Sequence, residues 1–72
     1  MRIVDYPKLR QLRRKKRLKI WQAAELLGID RSTLFRYEDG QTEIKAHTLG
    51  LLAELYEVPI ESLFREVISD DY

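Results

Sequence analysis

The chain of 72 residues contains no cysteine, so neither a disulfide framework nor a thiolate zinc site is open to it. That suits a reducing compartment. Its one histidine, His47, has no second imidazole to share a metal with and reads as a surface residue. Three glycines and two prolines leave no Gly-rich phosphate loop, no linker and no low-complexity run. No apolar run approaches the ~18 residues of a membrane span. The opening "MRIVDYPK" lacks the apolar stretch of a secretion signal. Strand patterning is scarce too, confined to "RIV" near the start. What remains is one small domain, read as soluble, intracellular and complete or nearly so, burying only ~60% of its unfolded surface. No paired carboxylates or nucleophile–base set emerges, so neither an enzyme nor a metal or cofactor site is expected.

What is present begins with charge. Net charge is only +1. Yet residues 1–36 carry eleven Lys/Arg against three acids, a formal +8, and residues 37–72 carry two against nine, a formal −7. Such segregation gives a folded domain a positive pole that suits a polyanion, or else two solvated faces that pair with each other.

Apart from "RIV", apolar residues recur with helical period. Pro7 suits a first helical turn, so helix one is placed at Pro7–Arg17, with Leu9 and Leu12 inward. Helix two is placed at Ile20–Leu27 and ends at Gly28, a residue free to turn left-handed. Asp30 can cap helix three, Arg31–Glu38, which Gly40 ends. "QTEIKAH" reads as a loop, and Thr48 as the cap of a fourth helix carrying Leu49, Leu51, Leu52, Leu55 and Tyr56. Pro59 opens a fifth, where Ile60, Leu63, Phe64, Val67 and Ile68 would share one face. The expectation is an all-α bundle of five short helices.

Helices two and three are joined only by Gly28-Ile29-Asp30, which forces a sharp helix-turn-helix angle. Ala24 is small enough for the crossing, Gly28 supplies the turn, Ile29 plugs it, and Leu34 and Tyr37 form the grip of helix three. With these in place, the runs "LRQLRRKKRLKIWQAAELLGIDRSTLFRYEDG" and "LGLLAELYEVPIESLF" resemble the phage-repressor and Cro-like (XRE-type) helix-turn-helix family, over about Lys8–Phe64. The resemblance implies a lambda-repressor-like five-helix fold, one domain over 1–72 with a core at about 8–64 and short extensions. It also implies a transcriptional regulator of double-stranded DNA with helix three in the major groove, and an Arg13–Glu38 pair linking helices one and three. The chain departs from the family pattern at Lys19-Ile20, where a polar pair is usual, at Ala23, where Leu is common, and at the acids Asp39 and Glu43. Trp21 is read as folding over to fill the volume missing at Ala23.

Base contacts are expected from Arg31, Ser32, Phe35 and Arg36, near the start of the recognition helix and one turn on. The arginines can instead hold phosphates, and Phe35 can pack in a core or dimer contact. Backbone contacts are assigned to Lys19, Gln22, Thr33, Thr42 and Lys45; the alternative is solvated surface for Lys19, Gln22, Thr42 and Lys45, and for Thr33 a hydroxyl that bonds back to its own helix backbone. Arg14, Lys15, Lys16 and Arg17 are read as a diffuse positive field. Arg13, Glu38, Ala24 and Gly28 are structural.

A second class of function stays open: an antitoxin or small adaptor holding a protein on its acidic C-terminal half. A homodimer through the C-terminal helix is expected, because Val67 and Ile68 extend that helix's stripe beyond the core. Packing of those two on Ile3 and Val4 is the alternative. The setting read from all this is a prokaryotic or phage-encoded cytoplasmic protein associated with the nucleoid, with no membrane partner.

Overall fold

The computed structural model describes residues 1–68. Asp5 starts the first helix, its side chain accepting from the Lys8 amide at 3.4 Å. α1 therefore runs Tyr6–Lys15, with Pro7 in its first turn, one residue earlier than Pro7 alone suggested. It ends two residues before Arg17, because Arg17 turns left-handed at φ 59°. α2 covers Ile20–Leu27 and stops at Gly28, at φ 72°. α3 covers Arg31–Glu38. The Asp30 side chain caps it, accepting from the Ser32 amide at 3.2 Å and from the Ser32 hydroxyl. Those two bonds, the hydroxyl's first, hold the Asp30 carboxyl below the usual range, so the cap stays charged to lower pH than a free aspartate would.

α4 runs Ala46–Tyr56, and its cap is Lys45 rather than Thr48. Ile44 explains the earlier start: it is buried, and the chain turns into the helix directly after it.

The fifth helix is not formed. Ile60–Leu63 make one 3₁₀ turn, and Phe64–Glu66 then extend as β2 against β1, Arg2–Val4. The pairing is antiparallel, with Ile3 opposite Arg65. Backbone groups of β1 need partners, and the "FREV" segment supplies them. Positions 60 and 68 of the expected stripe are exposed, Ile68 by 86%, so no helical face was there to bury. The small sheet is pinned further. The Arg2 guanidinium lies 5.4 Å from the Phe64 ring centre and donates to the Glu61 carbonyl at 3.1 Å. The amine of Met1 meets Glu66 at 2.9 Å.

The core sits among α1, α2, α3, α4 and the 3₁₀ turn, with Leu9, Ala23, Leu34, Leu52 and Leu63 removed from solvent, one from each. Trp21 does not join it. It lies about 100° round α2 from Ile20 and is 49% exposed, while Ala23 is sealed without it. The described residues contain no helix long and apolar enough to cross a membrane.

Candidate nucleic-acid interface

The turn between α2 and α3 closes through the Ile29 amide, which donates to the Ala24 carbonyl at 3.0 Å. Ala24 is buried and lets the two helices approach. α3 is then held from behind twice. Leu34 is fully buried. Glu38, 0% exposed in its side chain, accepts at Oε2 from Arg13 Nε (2.7 Å) and at Oε1 from Arg13 Nη2 (3.1 Å). Arg13 also donates to the Leu18 carbonyl at 2.9 Å, which ties down the α1–α2 link. The hydrogen bond to Glu38 outweighs burial and raises the Arg13 pKa above its ordinary value. Arg10 is a third member: its Nε lies 3.3 Å from Glu38 Oε1. The Tyr56 hydroxyl, buried and without a hydrogen-bond partner among the described residues, is pushed up first by desolvation and then by the Glu38 charge.

The outward side of α3 carries Arg31, Ser32, Phe35 and Arg36, all exposed, Phe35 by 50%. Thr33 is half-buried and accepts from Arg36 Nη2 at a long 3.5 Å. The Ser32 hydroxyl donates to Asp30 and, being exposed, keeps its lone pairs open to anything outside.

Around α3 the expected backbone residues are dispersed over two helix starts and a loop. Lys19 precedes α2 and Lys45 precedes α4, both exposed, with Thr42 half-buried between α3 and α4. Gln22 Oε1 accepts from the Lys19 amide at 2.8 Å, and its NH₂ group has no partner among the described residues. Neither α2 nor α4 has an acid in its first turn, and a lysine cannot accept from the free amides there. Neither N-cap residue thus offers an oxygen to the first amides of its helix; at α2 the Gln22 oxygen covers only the Lys19 amide, and α4 has no side-chain cap at all.

Arg10 and Arg14 of α1 were not foreseen as part of the site, unlike Lys19, Phe35 and the Arg13–Glu38 pair that they join. Arg10, Arg13, Arg14, Lys19, Ile20, Phe35, Glu38 and Asp39 line an open cleft of about 570 Å³ between α1, the start of α2 and α3. The signal was legible, since positions 10, 13 and 14 share one face of a helix.

A family profile described as a helix-turn-helix domain matches residues 8–66. The chain belongs to the helix-turn-helix family. Over 60 residues it is 36% identical to the HTH-type transcriptional regulator AnsR of Bacillus subtilis (strain 168), an overlap of 83% of this chain and 52% of that protein. The chain spans about half the length of that relative. Both matches support the phage-repressor and Cro-like type of helix-turn-helix.

Proposed function

We propose that this domain binds double-stranded DNA in a sequence-selective way and regulates transcription, working in the cytoplasm on chromosomal or phage DNA. α3 enters the major groove. The observation that carries this reading is the two-sidedness of α3. It is locked behind by Leu34 and the Arg13–Glu38 pair and left open in front at Arg31, Ser32, Phe35 and Arg36. A reader must be rigid where it is held and unsatisfied where it reads. Arg31 and Arg36 take guanine O6/N7, and Phe35 takes a thymine methyl. Ser32, whose hydroxyl can accept while it donates to Asp30, takes an exocyclic amine of adenine or cytosine. Lys19, Gln22, Thr33, Thr42 and Lys45 hold the backbone. Two copies act together, since one such unit reads few base pairs. With residues 64–66 in a strand and no fifth helix among the described residues, the contact between copies falls to the outer face of the sheet. There Ile3 and Val67 lie beside the exposed Met1, while Val4 and Phe64 on the opposite face pack on the core.

Mobility shifts on random and selected duplexes across a salt series test the reading. Log affinity should fall steeply and linearly with log salt, by ~0.9 for each phosphate neutralised. Absence of duplex binding at low salt would overturn it. That result would favour the second reading, a protein-interaction module. Its support is the groove between α2 and α4, where Leu26, 65% exposed, lies with Leu51 and Leu55 beside Glu54 and Glu57.

A further inference from the structure

The cleft between α1 and α3 has more cations than the fold uses. Arg13 is spent on Glu38 and on the Leu18 carbonyl. Glu38 in turn is filled by Arg13 and by Arg10 Nε. The two terminal nitrogens of Arg10 have no partner among the described residues, and neither Arg14 nor Lys19 has an acidic one. The remaining acid of the lining, Asp39, accepts from the neutral Gln41 Nε2 at 2.5 Å and keeps its charge, one negative against the three cations. Arg10 and Arg14 also stand at i, i+4 on α1, where like charges weaken a helix. Three cations therefore converge on one open space with donors unspent, at a cost that an anion would relieve. Phe35, on the outward side of α3, also lines that space. The cleft thus borders whatever α3 reads.

We propose that this cleft is a phosphate seat. Arg14 and Arg10 grip one backbone phosphate of the DNA strand bordering the groove, with Lys19 opposite. The terminal nitrogens of an arginine form a fork that fits phosphate oxygens in pairs, which a lysine on the same helix would not match. The proposal rests on the DNA-binding reading and adds to it α1, an element outside the helix-turn-helix. The seat reads no base. It fixes how far α3 slides along the groove, and so determines which base pairs Arg31 and Arg36 face.

The experiment uses the whole chain and a duplex that the wild type binds. Arg14→Gln and Arg10→Gln are compared with the wild type for melting temperature, affinity and salt slope. Arg14 is exposed, so its variant should melt as the wild type does. The double variant should bind related and unrelated duplexes about equally more weakly, with a salt slope shallower by about 0.9, as for one lost phosphate. Arg14→Lys should restore only part of the affinity. Uncharged methylphosphonate links placed singly along the duplex should reveal one position that weakens the wild type but not the double variant. If the double variant keeps the wild-type slope while the wild type binds DNA normally, the seat alone is overturned. If inorganic phosphate shifts the amide resonances of residues 14 and 19, yet no single link is special, the seat takes free phosphate and the DNA assignment fails. If the wild type binds no duplex at all, the functional reading fails and the seat with it.

Discussion

Glu38 shows what holds the reading surface together. A carboxylate taken fully out of water is costly unless paired and hydrogen-bonded. Arg13 meets it with two nitrogens, and Arg10 adds a third. Removing one partner leaves the other charge buried, so Arg13→Met or Glu38→Gln should each cost about 3–5 kcal/mol. That is a large part of the stability of so small a domain. The double variant should lose much less than the sum, as measured by urea melts of all four proteins. Additive losses would show that the two residues do not interact. This pair was reachable from the sequence only through the family resemblance, because nothing in the local spacing joins positions 13 and 38. Arg10 escaped notice because a third ligand to one carboxylate has no sequence signature. Trp21 was misplaced for another reason: the gap suggested by Ala23 exists only relative to relatives with a larger residue there.

Helix limits were legible where a cap or a glycine marks them. Gly28, Asp30 and Gly40 fixed α2 and α3 to the residue, since each has a backbone or side-chain role that few residue types can fill. The Thr48 cap misled because an N-cap must lie outside the helix, and Ile44 drew the chain inward three residues sooner. Lysine at that cap position invites a direct test. A lysine there neither accepts from the amides of His47 and Thr48 nor suits the positive end of a helix. Lys45→Ser should raise stability by roughly 0.5–1 kcal/mol. The same change should weaken binding to all duplexes and flatten the salt slope by ~0.9. Opposite signs in the melt and the shift assay would place a phosphate at Lys45. A variant that is more stable and binds as before would leave Lys45 without a part in binding.

At the scale of the molecule, the missed element is the sheet. Leu63, Phe64, Val67 and Ile68 fit a helical stripe, and a pattern within one segment says nothing about a partner segment sixty residues away. The "RIV" run was visible, but a lone strand has no meaning until its mate is known. Sedimentation of the wild type and of Ile3→Glu/Val67→Glu, alone and on a duplex with two half-sites, tests the proposed contact between copies. The wild type should pair on that duplex and the double variant should not. Equal behaviour of the two would remove the sheet from the interface. The ladder has one more consequence, and it concerns time. The α2–α3 contacts at the heart of the domain form between near neighbours in the chain, whereas β1 with β2 joins residues 2–4 to residues 64–66. Closing so long a loop is entropically costly and yields few bonds, so it belongs late, after the helices have assembled. A change that weakens β1 should therefore leave the folding rate nearly untouched and speed unfolding, and stopped-flow traces of Ile3→Ala would display that asymmetry. The strand pair then acts as a clasp on a domain already formed, setting how long it stays shut rather than how quickly it folds.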